Sequence, residues 1–337
     1  MNTKRWIALV AAAVLLFFSL GLNTIMAVFT TDFFSSFESA FDVTESTVYE
    51  TPIENGAMDN RIALVSVEGT ILDVGSGSLW EEVQYNHQGF MAQLDSILND
   101  DTVKGVVLEV NSPGGGVIES AEIHEKLVQI KEQREIPIYV SMGTYAASGG
   151  YYIAAPADKI FAQKETITGS IGVIMQAINY EELAEKVGIK FETIKSGQHK
   201  DMLGGSRAST EEEKAMLQEI IDESYEDFVD VIEQGRGMTE AEVKAVADGR
   251  ILGGTQAVRA GLVDDIGKLD DTIAALRADY GLEEAQLFEY TTTNDSLGSL
   301  LGVKISSLFG PSQEEQLMQK ILSTSNSPRM MYLYGEY

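Results

Sequence analysis

The residues best suited to chemistry lie in two glycine-rich strings and one lysine-containing turn. Ser148 stands in the string TYAASGGYY, among small residues and directly before a predicted helix. A serine at such a turn exposes its hydroxyl to substrate, and a neighbouring amide can stabilise the charge that develops on a carbonyl oxygen. The string departs from a strict Gly-x-Ser-x-Gly elbow, because Ala146 replaces the first glycine. The alternative is that these small residues only allow a helix to pack closely against a sheet.

A second string, SPGGG at residues 112–116, follows a predicted strand and precedes a predicted helix. Consecutive glycines allow backbone amides to point together at an anion, and the amino end of a helix adds a positive dipole. In an enzyme that transfers acyl groups, this arrangement is an oxyanion hole. The string matches neither of the common phosphate-loop patterns, so it is not a nucleotide loop. A tight turn between strand and helix is the alternative.

A serine nucleophile also needs a base, which here must be a histidine or a lysine. The chain has three histidines, His87, His124 and His199, and none lies among small residues or at a strand end. Lys200 lies in the turn SGQHKD, after a predicted strand. Burial favours the neutral form of a lysine amine, which can then accept a proton. No Ser-x-x-Lys motif is present, so a serine–lysine pair would have to be brought together by the fold.

Composition excludes several classes of site. The chain has 337 residues, no cysteine and a formal net charge of −28. A surface this acidic repels phosphate backbones, so no nucleic acid is expected as a partner. Without cysteine there is no disulfide framework, thiolate nucleophile or Cys-ligated zinc, and no His-Glu-x-x-His pair is present. We therefore expect an enzyme or binding module that uses no metal and no cofactor.

The amino terminus predicts a membrane anchor. Residues 6–31 carry no charge and follow Lys4 and Arg5. About 20 apolar residues cross a bilayer as a helix, whereas the apolar core of a cleaved signal peptide has roughly 7–15. Because no Ala-x-Ala site follows the run, residues 1–31 are interpreted as a transmembrane anchor that contacts lipid through residues 6–29. The basic flank predicts a single-pass protein of the cell membrane, with a cytoplasmic amino terminus and an extracellular domain.

Beyond the anchor, the sequence predicts an α/β fold, because short β-rich runs alternate with segments of helical spacing. The predicted strands are Arg61–Glu68, Lys104–Val110, Pro137–Val140, Lys159–Ala162, Ser170–Met175 and Lys190–Lys195. The predicted helices include Gly89–Leu98, Ile118–Gln133, Ala147–Ala155 and Tyr180–Val187. Two further helices are predicted to begin at capping boxes, one formed by Ser209 with Glu212 and one by Thr239 with Glu242.

The segments on either side of this domain are expected to be less ordered. Residues 32–58 are polar and lack a clear period, which predicts a stalk. Residues 59–290 are expected to form the globular domain, and residues 291–337 a tail region. The tail ends in the aromatic string MMYLYGEY. We expect a frayed end there, with docking as a pseudo-substrate, or against a neighbouring copy, as the alternative.

Four strings taken together, SPGGG, TYAASGGYY, ETITGSIGV and SGQHKD, resemble the signal peptide peptidase A family in its short, single-domain bacterial form. The resemblance runs from about residue 62 to residue 267, and it implies a ClpP/crotonase-like fold of repeated ββα units. It also implies a membrane-anchored serine protease with a Ser/Lys dyad. The site residues that it implies are Ser148 as nucleophile, Lys200 as general base, Ser170 as the residue that orients the lysine, and Gly114, Gly115 and Gly149 as oxyanion donors.

The same resemblance implies peptide substrates, notably remnant signal peptides and other unfolded chains, and a homo-oligomeric assembly. His199 is the strongest rival to Lys200 as the base. Because an acidic domain and the adjacent Asp201 oppose a neutral amine, we expect Lys200 to be buried with Asp201 turned away.

Two other functions are considered. A crotonase-type acyl-CoA hydratase or isomerase would use the same glycines without a serine nucleophile. A non-catalytic membrane scaffold would keep the fold alone. The predicted anchor and the intact Ser148, Lys200 and Ser170 favour the protease over both alternatives.

Overall fold

A mostly parallel sheet forms the centre of the molecule. The structure is a computed structural model that describes residues 48–73, 85–292 and 329–335, all of which belong to one compact unit. The strands of these residues are β1 (Val48–Glu54), β2 (Ala57–Glu68), β3 (Val103–Ser112), β4 (Gly114–Gly116), β5 (Ile138–Ala147), β6 (Lys159–Ala162), β7 (Ile167–Gly169), β8 (Ile251–Gly253), β9 (Asp265–Ile266), β10 (Ala285–Thr292) and β11 (Met331–Leu333).

The larger sheet has the strand order β1-β10-β2-β3-β5-β6-β9, and β7 pairs with both β5 and β8. Each neighbouring pair from β10 to β9 is parallel, as is the pair of β5 with β7. Only β1 with β10 and β7 with β8 are antiparallel in this sheet. A separate two-stranded sheet joins β4 to β11. The predicted α/β class is confirmed.

Helices pack on both faces of the sheet. Successive strand residues point to opposite faces; accordingly, Ala63 and Val65 of β2 belong to one core cluster, and Ile62 and Leu64 belong to another. The helices of the described residues are α1 (His87–Asn99), α2 (Val117–Arg134), α3 (Gly149–Ala154), α4 (Glu181–Lys186), α5 (Glu211–Arg236), α6 (Glu240–Lys244), α7 (Gly254–Arg259) and α8 (Leu269–Tyr280). Side chains of α1, α2, α3 and α5 contribute to the larger cluster and side chains of α8 to the smaller one.

The central strands are buried on both faces, which explains their nearly continuous apolar sequences. In β3, for example, Val106, Val107 and Leu108 are all fully buried. Because β3, β5 and β7 are parallel, their carboxyl ends lie at the same edge of the sheet. Ligands of open α/β sheets bind at this edge. The strings SPGGG, TYAASGGYY and TGSIG lie at the carboxyl ends of β3, β5 and β7 and continue beyond them.

Two predicted strands are wrong. Residues 170–175 form no strand, because the chain turns at Ser170 with φ +51° directly after β7; only Ile174 makes an isolated bridge. Residues 190–195 lie in an exposed loop without a strand partner among the described residues. A β-rich composition produces a strand only where a neighbouring strand satisfies its backbone groups.

The predicted stalk is wrong for its last part. Residues 48–54 form β1, which pairs with β10. The strand is anchored by Arg61 of β2, whose guanidinium is bonded to Glu50 at 2.6 Å and also to Asp100. Hydrogen bonding to Glu50 raises the pKa of Arg61 further above its ordinary value. A charge this well buried is stable only with such partners.

One predicted helix start is displaced by a single residue. The capping box of α5 is formed by Thr210 with Glu213, one position after the predicted pair of Ser209 and Glu212. The capping box of Thr239 with Glu242 is confirmed at the start of α6.

None of the helices within the described residues has the length and apolar character to cross a membrane. The predicted anchor, residues 1–31, and the first part of the predicted stalk lie outside the described residues.

Candidate active site

Ser148 occupies a strained turn between β5 and α3. Its backbone has φ +55° and ψ −118°, a conformation that glycine adopts readily and other residues only at an energetic cost. Its amide donates to the carbonyl oxygen of Gly169 at 2.8 Å, and its own carbonyl accepts the amides of Tyr151 and Tyr152 at 2.9 Å. The Ser148 hydroxyl is buried and has no hydrogen-bond partner among the described residues. It is therefore free to bond to a base or a substrate.

The glycine string after β3 lies directly beside this turn. Gly114 has φ +101°, and its amide donates to the hydroxyl of Ser112 at 3.1 Å. The amide of Gly116 donates to the carbonyl of Ile71 at 2.8 Å. These two amides are used within the fold, and so they are not available to bind a substrate oxygen.

The amides of Gly115 and Gly149 lie near each other, beside the Ser148 turn. A Cβ on Gly114 would lie 2.6 Å from the Gly149 amide nitrogen, and a Cβ on Gly149 would lie 3.1 Å from the Gly115 amide nitrogen. The two segments can approach this closely only because neither residue carries a side chain. The geometry brings together two amide donors next to Ser148, which is the arrangement that an oxyanion requires.

Ser170 follows β7 and is adjacent in space to the Ser148 turn, since Ala147 and Gly169 are paired in the sheet. The residue is 8% exposed, and its amide donates to the carbonyl of Arg250 at 2.7 Å. Its positive φ of +51° directs the chain away from the sheet. The fold thus brings the turns of Ser148 and Ser170 next to each other.

Lys200 is not brought to Ser148 within the single chain. It lies in an exposed turn, where its amide donates to the carbonyl of Gly197 at 3.2 Å. No hydrogen bond or ion pair of its amine is found within the described residues. The expectation that one chain buries Lys200 is therefore wrong.

The loop that carries Lys200 is held by a cluster of ion pairs. Arg207 bonds to both Asp201 and Glu213 at 2.6 Å, and Lys195 bonds to Asp201 at 2.7 Å. Hydrogen bonds from Arg207 hold the pKa values of Asp201 and Glu213 well below the ordinary carboxyl range. Above the ordinary carboxyl range, these carboxylates stabilise the folded state. That stabilisation is lost as the pH falls through their lowered pKa values.

Within this cluster the Asp201 carboxylate binds Arg207 and Lys195. It is therefore turned away from the adjacent Lys200, as expected from the sequence. The cluster also involves His199, whose Nδ1 lies 3.2 Å from the Glu213 carboxylate. That contact gives His199 a structural role.

The carboxyl-terminal strand β11 crosses the site. It pairs antiparallel with β4, and Tyr332 is aligned with Gly115. The Tyr334 amide donates to Pro113 at 2.8 Å and the Val117 amide to Met330 at 3.5 Å. Because bonded and unbonded pairs alternate along an antiparallel ladder, Tyr332 and Gly115 also form a bonded pair. The expectation of a frayed end is therefore wrong for residues 331–333.

The other edge of β11 is also occupied. Met331 exchanges two backbone hydrogen bonds with Ile174, at 2.9 and 3.1 Å. The tail is thus held as an extended strand between the glycine string and the loop after Ser170. The Tyr332 carbonyl oxygen lies close to the position that a Cβ on Gly114 would occupy. It lies 3.1 Å from the position that a Cβ on Gly149 would occupy. The Tyr332 carbonyl consequently lies beside both glycine segments, and its residue is paired with Gly115.

The side chain of Tyr332 fills a buried aromatic pocket. Its ring stacks on Tyr152 at a centroid distance of 4.9 Å and contacts Phe228 at 4.7 Å. Its hydroxyl donates to the carbonyl of Ser224 at 2.9 Å. Tyr332 is 1% exposed, and burial raises its pKa above the ordinary tyrosine value. The pocket lies next to Ser148, since Tyr152 belongs to α3.

Comparison with known proteins identifies the family. The sequence profile described as "Peptidase family S49" matches residues 130–283. The chain is 43% identical to the "Putative signal peptide peptidase SppA" of Enterococcus faecium, and the match covers 99% of each chain. The chain belongs to peptidase family S49.

Two relatives of lower sequence identity are also similar to the chain. "Protease 4" of Haemophilus influenzae is 31% identical over 84% of this chain and 48% of its own length. The "Serine protease SPPA, chloroplastic" of Arabidopsis thaliana is 29% identical over 72% of this chain and 35% of its own length. These matches show that the protein is a serine peptidase.

Two of the histidines of this S49 peptidase lie away from the Ser148 hydroxyl. His87 is bonded to Tyr85 at 2.8 Å and to Glu122 at 2.7 Å. His124 packs edge-on against Tyr152 with ring centroids 5.3 Å apart, and burial lowers its pKa to about 4. The neutral His124 ring thus packs against Tyr152, which lines the aromatic pocket.

The residues that form the pocket of the S49 peptidase carry no signal in the sequence that marks them as functional. Phe228 is a buried apolar residue of α5, and its ring also contacts Tyr332 in the pocket. Ser224 contributes through its backbone carbonyl, which no side-chain pattern can predict. The pairing of Tyr332 with Gly115 joins residues far apart in the chain, and only the aromatic composition of the tail pointed to it.

Proposed function

We propose that the protein is a serine endopeptidase in which Ser148 is the nucleophile, Lys200 the general base and Ser170 the residue that orients the lysine. Its substrates are extended peptides, above all remnant signal peptides left after secretion. The observation that carries this proposal is the position of β11: it pairs with the glycine string at Gly115, beside the turn of Ser148, whose hydroxyl has no hydrogen-bond partner among the described residues.

In the proposed reaction, the Ser148 oxygen attacks the carbonyl carbon of the substrate while its proton passes to the neutral amine of Lys200. The amides of Gly115 and Gly149 donate to the oxygen that becomes negatively charged. The protonated lysine then gives its proton to the departing amine, and the carbon–nitrogen bond breaks. Water, deprotonated by the same lysine, hydrolyses the acyl ester and regenerates the Ser148 hydroxyl.

The substrate-binding mode is supported by the contacts of β11. An extended peptide that adds to two strand edges gains main-chain hydrogen bonds whatever its sequence. The pocket of Tyr152 and Phe228 then selects one large side chain on the amino-terminal side of the cleaved bond. The apolar cores of signal peptides supply such side chains.

A neighbouring copy supplies Lys200 in this proposal. Within the described chain the Ser148 hydroxyl has no partner and Lys200 is exposed. The segment leading to Lys200 exposes large apolar side chains that a second copy would cover, namely Ile178, Leu183, Val187, Ile189, Phe191 and Ile194. Exposed apolar surface of this kind marks an interaction site. The homo-oligomer implied by the resemblance would bury both the surface and the lysine.

The proposed fold and location rest on the sheet and on the amino-terminal charge pattern. The parallel sheet with Ser148 and the glycine string at its carboxyl edge supports a ClpP/crotonase-like fold of repeated ββα units. The charge pattern of residues 1–31 supports an anchor in the cell membrane, with the catalytic domain outside the cell.

The proposal is tested with the purified full chain and a synthetic signal peptide. A fluorophosphonate is expected to label Ser148, and mass spectrometry of the peptide products is expected to show cleavage after large apolar or aromatic residues. Absence of both labelling and cleavage, together with hydration of an enoyl-CoA thioester, would establish the crotonase-type alternative. Absence of labelling and of both activities would indicate that the protein is a non-catalytic scaffold.

The tail is expected to compete with substrate. Truncation after Ser327 removes the strand that occupies the site, and we expect the KM for a short peptide to fall by about tenfold with kcat unchanged, because the tethered competitor has a high effective concentration. Steady-state kinetics of the truncated and full chains measure this change.

A matched variant is Tyr332→Phe, which loses only the hydrogen bond to Ser224 and should lower KM by a smaller factor. If KM is the same in the truncated and full chains, the tail has no regulatory role in solution.

A further inference from the structure

A second serine hydroxyl in this region has no partner. Ser120 lies in the first turn of α2, is fully buried, and its Oγ forms no hydrogen bond within the described residues. A buried hydroxyl without a partner is costly, and evolution usually replaces it or satisfies it. A serine in a helix commonly donates to the carbonyl four residues earlier, and Ser120 does not. Its presence therefore has no explanation in the stability of the helix.

The position of this hydroxyl connects it to the site. A Cβ on Gly149 would lie 2.6 Å from Ser120 Oγ, 3.1 Å from the Gly115 amide nitrogen and 3.1 Å from the Tyr332 carbonyl oxygen. A hydroxyl, a candidate oxyanion donor and the carbonyl of the tail thus all lie within 3.1 Å of the same position. The absence of a side chain at Gly149 leaves this point free of a Cβ, so no side chain of residue 149 separates the hydroxyl from the carbonyl.

We propose that Ser120 is a further catalytic residue, whose hydroxyl donates a third hydrogen bond to the oxyanion. This role rests on the proposed function of Ser148. In the described state the Tyr332 carbonyl is planar and Ser120 is not bonded to it. When the carbonyl carbon becomes tetrahedral, its oxygen gains negative charge and accepts the additional hydrogen bond. A contact that forms only in the transition state accelerates the reaction without tightening substrate binding.

The proposal predicts opposite effects of Ser120→Ala on stability and on catalysis. Removal of a buried hydroxyl without a partner should raise the Tm by about 1–3 °C. Loss of one oxyanion donor should lower kcat by about tenfold to a hundredfold, with KM nearly unchanged. A residue needed only for packing would lower both properties, so the combination separates the two roles.

Two inhibitors distinguish stabilisation of the tetrahedral state from binding of the substrate. A peptide aldehyde with the sequence of the tail up to Tyr332 forms a tetrahedral adduct with the nucleophile, whereas the same peptide with a reduced amide bond mimics only the substrate. Ser120→Ala is expected to weaken the aldehyde by the same factor as kcat and to leave the reduced peptide unaffected. Ser120→Cys keeps a weak donor and should fall between alanine and the wild type.

The matched control is Ser96→Ala in α1, whose hydroxyl donates to the carbonyl of Ala92 at 2.9 Å and lies far from the site in the fold. It should change neither kcat nor the affinity of the aldehyde. Equal aldehyde affinity for wild type and Ser120→Ala, or a lower Tm of the variant, would overturn the role of Ser120. An inactive wild type that also fails to bind the aldehyde would instead overturn the proposed function itself.

Discussion

Replacement of Ser148 by alanine is expected to abolish peptide hydrolysis, with kcat reduced by at least about 10³-fold. The acyl-enzyme cannot form without the Ser148 oxygen. The fold should persist, because the hydroxyl forms no hydrogen bond within the described residues that its removal would break. Hydrolysis of a signal peptide and thermal unfolding of both proteins measure these two expectations.

The strained backbone of Ser148 provides a second variant with the same activity and a different stability. With φ +55° and ψ −118°, this position suits glycine, so Ser148→Gly should be more stable than Ser148→Ala by about 1 kcal/mol. Both variants should be inactive. Substantial activity in either variant would show that another residue is the nucleophile.

Lys200→Ala is expected to produce a comparable loss of activity without loss of the fold, since the exposed Lys200 amine forms no hydrogen bond or ion pair within the described residues. His199→Ala is the appropriate comparison, because it removes the neighbouring rival base. Loss of its contact with Glu213 should loosen the loop only partly, so most of the activity should remain. An active Lys200→Ala variant together with an inactive His199→Ala variant would contradict the assignment of the base.

Mixing two inactive variants tests whether the lysine comes from a neighbouring copy. An assembly that combines Ser148→Ala chains with Lys200→Ala chains contains sites with an intact serine from one copy and an intact lysine from the next. Random mixing at equal amounts should restore about a quarter of the wild-type activity. If the mixture stays inactive after dissociation and reassembly, serine and lysine belong to the same chain.

The pH dependence of the wild type gives independent information on the base. A lysine base predicts a rate that continues to rise in the alkaline range, whereas a histidine base predicts a plateau that is reached near neutral pH. The ion pairs of Arg207 with Asp201 and Glu213 stay formed throughout this range, because both carboxyl pKa values are lowered. A change in the loop that carries Lys200 is therefore expected only in acid.

The starts of helices show how far local sequence reasoning extends. Ser209 and Thr210 are adjacent hydroxyl residues, and each has a glutamate three positions later. Capping chemistry alone cannot choose between them. The choice is made by Arg207, which bonds to the Glu213 carboxylate at 2.6 Å and so favours the box that contains this residue.

The errors in strand prediction have a related cause. Residues 190–195 have a suitable composition but find no partner strand in the described chain. Residues 48–54 lack an apolar pattern, yet they pair with β10 because Thr292 and its neighbours offer a free edge. A strand depends on its partner more than on its own residues.

The amino-acid sequence by itself determined the chemical class of this protein. The small residues around Ser148 and the glycines before α2 act through local backbone geometry, which neighbouring residues specify directly. The tertiary structure alone decided that β11 pairs with Gly115, that Tyr332 enters an aromatic pocket, and that Lys200 is exposed in a single chain. These features arise from contacts between residues far apart in the sequence, and such contacts exist only once the sheet has assembled.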